Sequence, residues 1–441
     1  MKRPFITLST IMLLTVSILL LSSCVAPPAA APQPAEPAAP AEAPKPAEEI
    51  TVILPKHEAD LVGFWPARVK EFEEQTGIKV TLINMSWDKA ADKVLAEMAA
   101  GGDAYDVIEF DNSWVAKFRQ ADWLEPLDTF MPADYTKDMV PGLVDLFSDE
   151  DNTYGLVWNN DIRFFFYNAD ILEQAGIDTP PTTWDELVVQ CKTIQEKGIV
   201  EHCLAQPWVQ EWAIVNEFHF FTYTFGGEML GEGNSFLWNT DGAAEALQFM
   251  VDIIQKDEIV NPASLTFSQE DAMNVFLSGD AAFFPQAWPG AYAFAQDESL
   301  SKIVGKVKVG LVPGKEPGMS AALALPEAMA IPKNSKHKEA AWKFIEFMTS
   351  KPVNKLMALE IGAIPIYVDL YNDPELVDRY PYWKEFGAQL DTAQGLMQTT
   401  WLDQWGQVTM VEIQKALAGH QTAQEALDAI YAETGEFEGQ P

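Results

Sequence analysis

The sequence predicts an α/β fold of mixed sheets flanked by helices and divided between two domains. Strand and helix signals alternate along most of the chain, the pattern of sheets covered by helices. The stretch from Ile50 to Pro441 is long for a single core and suits two. No segment recurs at a period of 20 to 50 residues, so stacked repeats are excluded.

Ile50 to Leu54 reads as a first strand. Leu61, Trp65, Val69 and Phe72 recur at helical spacing, and Gly77 closes that helix. Ile78 to Ile83 is a second strand, Asp88 to Ala100 a helix ended by Gly101 and Gly102, and Tyr105 to Phe110 a third strand before a short helix from Ser113. This opening favours a parallel sheet. Two extended runs follow, Gly155 to Trp158 and Ile162 to Tyr167. In "TPPTTWDEL" Thr183 is the N-cap of a helix from Trp184 to Glu196, with Glu186 completing a capping box. Helices are expected at Glu211 to Phe225, Gly242 to Gln255, Gln269 to Leu277 and His337 to Met348. Strands are expected at Ala281 to Phe284, Val307 to Val312 and Ala328 to Pro332, and the C-terminal third reads as largely helical.

The N-terminus is of another kind. Lys2 and Arg3 precede an apolar run, Ile6 to Leu21, that is shorter than the ~20 residues of a spanning helix. It ends in Leu21-Ser22-Ser23-Cys24, which resembles a bacterial lipobox. That resemblance implies a signal peptide over residues 1–23, removed before a lipidated Cys24. Residues 24–49 are mostly alanine and proline and bury nothing. As polyproline II, about 25 residues span roughly 75 Å, a semi-rigid tether that holds a folded body off a membrane.

A formal net charge of −36 argues against nucleic acid and against an electrostatic grip on anionic lipid. Beyond Cys24 only Cys191 and Cys203 remain; an even pair in an exported protein suggests one disulfide, with two buried thiols as the alternative. The five histidines are scattered, and no phosphate loop, dinucleotide loop, zinc-protease motif or nucleophile elbow occurs, so no metal and no cofactor is expected. "SDEDNTYG" lacks the glycine and the terminal glutamate of a calcium loop and reads as a polar hairpin turn. Of the 14 tryptophans, Trp65, Trp114, Trp158, Trp208, Trp212, Trp288, Trp401 and Trp405 lie beside turns, proline or glycine. Indole faces stack on the C–H faces of sugar rings, and neighbouring Asp, Asn and Arg bond the hydroxyls.

Several stretches resemble the lipid-anchored solute-binding proteins of ABC importers, in the maltose-binding-like sugar branch. These are "FEEQTGIKV" (Phe72 to Val80), "YGLVWNNDIRFFFYNADILEQAGIDTPPTTWDEL" (Tyr154 to Leu187), "GDAAFFPQAWPG" (Gly279 to Gly290), "AMAIPKNSKHKEAAWKFIEFMTS" (Ala328 to Ser350) and "ALAGHQTAQEALDAI" (Ala416 to Ile430). The resemblance implies a two-lobe periplasmic-binding-protein-like fold: an N-terminal lobe of 50–160 plus 326–365, a C-terminal lobe of 161–325 plus 366–435, and crossovers near Asn159 to Phe164, Leu325 to Ala328 and Ile364 to Ile366. It implies a monomer without catalytic residues, exported and lipid-anchored, facing periplasm or cell exterior. Such a protein closes its lobes on a mono- or oligosaccharide and delivers it to the membrane permease subunits of the importer.

Expected ligand contacts follow from the matched positions. They are Asp111, Asn112 and Trp114 after the third strand, Asp161 and Arg163 on the first crossover, Trp288 after the "AAFFP" strand, Trp208, and Trp401 and Trp405 before the C-terminal helix. Trp65 and Glu58 stand near the loop after the first strand. The chain departs from the family in Phe164-Phe165-Phe166, where a small residue is usual, so Phe164 either narrows the cleft or packs in a hinge. Rival readings are glycerol-3-phosphate or another small solute on the same scaffold, a surface lipoprotein glycosidase with two carboxylates flanking the scissile bond, and a purely adhesive lipoprotein.

Overall fold

The structure is a computed structural model that describes residues 48–55, 63–85, 87–149 and 151–441. The signal, the tether through residue 47 with Cys24, and Glu58 lie outside the described residues; Glu49, read as the tether's end, already belongs to the first strand. The segment Ala47–Pro441 forms one compact unit.

Its larger sheet has the order β2-β1-β3-β9-β4, built from β1 (Glu49–Pro55), β2 (Lys79–Met85), β3 (Val107–Asp111), β4 (Leu156–Asn159) and β9 (Glu327–Ala330). The first three strands run parallel, and β9 is antiparallel to both β3 and β4. The second sheet, order β6-β5-β7, contains β5 (Phe164–Asn168), β6 (Phe283–Ala287) and β7 (Val307–Gly310), paired antiparallel throughout. A short parallel pair joins β8 (Ala322–Ala324) to β10 (Ala393–Gly395). The parallel sheet favoured by the opening of the chain therefore holds only for β1 to β3. Beyond them the neighbours of each strand come from distant segments, and local alternation does not fix their direction.

The local grammar works as expected. Gly77 ends the Phe64–Thr76 helix at φ 74°, a conformation glycine adopts without a Cβ clash, and its N–H bonds the Glu73 carbonyl at 2.9 Å. Thr183 caps the Trp184–Glu196 helix, its hydroxyl accepting from the Glu186 N–H at 3.2 Å. The reciprocal bond lands one residue early, with the Glu186 carboxylate taking the Thr182 N–H and hydroxyl at 2.7 and 2.9 Å. The Asp149 carboxylate accepts the backbone N–H groups of Asp151 and Asn152, as a polar turn requires.

Two crossovers lie side by side. Asn160 to Arg163 joins β4 to β5, and Leu325 and Pro326 join β8 to β9. They are zipped by Leu325 N–H to Asp161 carbonyl at 2.7 Å and Arg163 N–H to Leu323 carbonyl at 2.9 Å. The third passes Ile364, whose carbonyl accepts from the Asn160 N–H at 3.4 Å. Phe164 packs in this hinge region, fully buried with its ring 4.3 Å from that of Phe386, and is not on the wall of the cleft. Cys191 and Cys203 are buried together and unbonded. The expected disulfide is thus absent, and the Cys191 thiol is pushed up by burial and by the adjoining Cys203. Among the described residues no helix is long and apolar enough to cross a membrane.

Candidate functional site

The crossovers open into a cleft of about 660 Å³ between the two sheets, within the range of small-molecule sites. It lies beyond the carboxyl end of β3, where ligands gather in open α/β sheets. Asp111 closes that strand. Its carboxylate accepts the Ser113 N–H at 2.7 Å, so the chain turns at once into a short 3-10 turn, Asn112–Trp114, that brings Trp114 to the wall. Trp114 is stacked on Phe118 at 5.4 Å and meets Trp87 at 5.4 Å, so its indole is fixed before any ligand arrives. Glu327 stands directly opposite Asp111 in the β3–β9 register and accepts from Asn159 Nδ2 at 2.8 Å. Trp158 lines the floor, braced edge-on by Trp65 at 5.1 Å.

The crossover contributes a preset cation. Arg163 is paired with Asp161 at 3.0 Å, donates to Gln269 at 3.2 Å and lies over the Trp288 ring at 5.8 Å. Gln269 is held in turn because Ser268 and Asp271 form a capping box that starts the Gln269–Leu277 helix at the cleft edge. Trp288 is the N-cap of the Pro289–Ala295 helix and leans on Phe284 at 5.9 Å. Trp212 and Asn216, from the Trp212–Thr224 helix, complete this side.

Burial pushes the Asp111 carboxyl up to about 6, against its bonds from Ser113 and with help from nearby Asp161 and Glu109. Behind the wall, Glu217 is pushed up to about 8, again by burial, with the Trp208 indole and the Arg163 charge opposing. Five acids line the cleft (Asp111, Asp161, Glu211, Glu270 and Glu327) against two cations, Lys89 and Arg163. Among the described residues no His, Cys, Asp and Glu group could hold a metal ion.

Of the residues expected from the sequence, Asp111, Trp114, Asp161, Arg163 and Trp288 come together on the wall. The others do not. Asn112 is fully buried beneath it, beside Gly395. Trp208 is interior and faces Glu217. Trp401 stacks on Phe437 at 5.7 Å and donates to the Gln440 carbonyl, and Trp405 is packed among His219, Trp238 and Phe218. Trp65 touches the site only through Trp158. Trp65 and Trp405 are core because their helices turn them inward, and Trp208 and Trp401 are buried from a loop and a helix N-cap, whatever turns adjoin them. Sequence reasoning left out Trp87, Lys89, Glu211, Asn216, Gln269, Glu270 and Glu327. Trp158 and Trp212 carried the turn-side aromatic signal but no matched position. Glu327 had no signal at all, since its place is set by a strand pairing across 216 residues of chain.

With this geometry in hand, the chain matches the bacterial extracellular solute-binding protein family over residues 58–355. It is 25% identical to the mannitol-binding protein of Pseudomonas aeruginosa, over 67% of either chain. Its fold is similar to that of maltose-bound MalE3 of T. maritima, at a TM-score of 0.83 and 28% identity over 89% of this chain and 100% of the other. A Thermotoga lettingae ABC transporter solute-binding protein bound with α-D-tagatose superposes at 0.80, with 25% identity over 88% and 99% of the two chains.

Proposed function

The chain belongs to the bacterial extracellular solute-binding protein family, and from that premise we propose that it captures a sugar between its lobes and hands it to the membrane subunits of an ABC importer. The single observation that carries this reading is the cleft wall: rigid indoles from both sheets alternate with buried carboxylates. Indole faces take the apolar faces of a pyranose, and Asp111, Glu327 and Asp161 accept from its hydroxyls. The solved relatives bound with maltose and tagatose support the same class. A phosphorylated ligand is disfavoured, because Arg163 is already committed to Asp161 and the other cation of the wall, Lys89, is outnumbered by five acids.

In this reading the ligand leaves chemically unchanged, and the carboxylates bind without catalysing. The protein works as a monomer. The Leu21-Ser22-Ser23-Cys24 junction is read as a lipid anchor and the Ala/Pro tract as its tether. A thermal-shift screen with maltose, α-D-tagatose, D-mannitol and ribitol tests the function. A ligand at 100 times its Kd adds about 2.7 kcal/mol, a rise of roughly 3 °C in Tm for a folded body of this length. No shift with any sugar or polyol overturns the reading, and a sugar recovered cleaved after incubation overturns its non-catalytic part.

A further inference from the structure

At the wall formed by Arg163 and Trp288 lies a second, much smaller chamber. Its free volume is about 10 Å³, room for one water or one hydroxyl group. Arg163, Asn216, Gln269 and Trp288 line both spaces, so the chamber is a recess of the cleft. Local structure explains its other walls. Alternation along β6 turns Phe284 and Gln286 to one face, and Ala213, Asn216 and Glu217 share one stripe of the Trp212–Thr224 helix.

The recess is polar and under-satisfied. Arg163 Nε, Gln286 Nε2 and Trp288 Nε1 are buried donors without a protein partner, and Asn216 Oδ1 is a buried acceptor without one. Arg163 and Gln286 are each 7% exposed. Buried polar atoms left unpaired are costly, so the recess is built for an occupant. The mixture of donors and acceptors selects its chemistry. A carboxylate or phosphate would meet the Asn216 oxygen and the carboxyl of Glu217. An ammonium would meet three N–H donors. A neutral hydroxyl both donates and accepts and suits all of them. A pyranose ring is too large for the recess, whereas a hydroxyl on a one-carbon stalk, projecting from a ring stacked on Trp288, can enter it.

We propose that this recess is a subsite for a primary alcohol, the –CH2OH group of a hexose unit or alditol, and that Gln286 is its specificity-determining residue. The inference rests on the sugar reading above. Calorimetry on the protein with pairs differing only in that group tests it: D-glucose and D-xylose, D-galactose and L-arabinose, D-mannose and D-lyxose, with D-glucuronate and D-galacturonate as charged counterparts. In any pair that binds, the –CH2OH member should be at least about tenfold tighter, since its loss strands buried donors. The uronates should bind no better than the pentoses. Gln286→Leu should bring the ratio within the pair close to one while leaving the shorter sugar's affinity within about twofold. A folded Gln286→Leu protein that keeps the wild-type ratio overturns the proposal, and the recess then holds a structural water only. Equal binding within a pair, or a preferred uronate, overturns it as well. Silence from every pair together with maltose, mannitol and ribitol removes the sugar reading itself, and this inference with it.

Discussion

Replacing Trp288 by alanine should weaken sugar binding about thirtyfold while the fold survives. The indole has three neighbours, of which the cleft sets the size of the loss and the other two hold the ring in place. Its face meets the cleft, the Arg163 guanidinium lies 5.8 Å from its ring, and Phe284 holds its edge at 5.9 Å. Covering one face of a pyranose removes roughly 50 Å² of apolar surface from water, about 1.3 kcal/mol at 25 cal/mol per Å². The directional ring contact adds about 0.7 kcal/mol beyond the area burial. Together that is about 2 kcal/mol, or thirtyfold in Kd. Trp342, buried on the Lys338–Met348 helix against Tyr135 at 5.5 Å, supplies the contrast. Trp342→Phe should lower Tm and leave Kd unchanged. Titration calorimetry on both variants, with the best sugar from the screen, reads the two effects separately. A folded Trp288→Ala protein that binds within twofold of wild type refutes the reasoning, and Trp288 is then packing.

Glu217 has a folded pKa near 8, raised from 4.5, so its contribution to stability is full below 4.5 and is lost as pH rises through 8. Glu217→Gln should therefore melt a few degrees above wild type at pH 9 and near it at pH 5; equal melting at both pH values would count against a buried, protonated acid. Lys117, in the Val115–Gln120 helix that follows β3, is ion-paired with Asp403 at the start of the Leu402–Leu417 helix, which packs on the Trp212–Thr224 helix of the cleft wall. Lys117→Ala should weaken ligand binding by about two- to fivefold, and exchanging the two charges should restore it; binding unaffected by either change would separate the pair from closure. Cys191 and Cys203 should resist thiol reagents in the native protein and both react after unfolding without reductant, and failure of both to react would show that export joins them. Cys24→Ala should release the protein from salt-washed membranes, and retention there would remove the anchor.

Elements were legible in the sequence where spacing and caps agreed. The Gln269–Leu277 helix falls where Gln269 to Leu277 was read, and the Trp184–Glu196 helix starts on its threonine cap. Strand ends drifted by two or three residues, as at β6, because apolar runs do not mark the last ladder bond. The site was legible only where its residues sit next to elements visible in sequence: Asp111 at a strand end, Asp161 and Arg163 on a crossover, Trp288 at a helix start. Trp405 shows what better use of spacing could have corrected. It shares a buried stripe with Leu402, Thr409, Ile413 and Ala416, a core periodicity that outweighs its place near a helix start. Glu327 and Gln286 belong to the remainder, since strand pairing and helix packing between distant segments put them at the site.

The arrangement of charge sharpens what kind of sugar this cleft accepts. The acidic side is concentrated on the larger sheet, where Asp111 and Glu327 face one another across the β3–β9 pair and burial works against the ionisation of Asp111. Hydroxyl donors relieve that strain. An anionic substituent adds to it. The cationic side has a single buried guanidinium, already paired with Asp161 and covered by Trp288, and the recess beside it mixes donors with an acceptor. The other cation of the wall, Lys89, stands against five acids, too little positive charge for a phosphate or a carboxylate. A neutral polyhydroxylated ligand is the one class that answers both at once, stacking on the indoles, donating to the carboxylates and placing one primary hydroxyl where the buried amides wait.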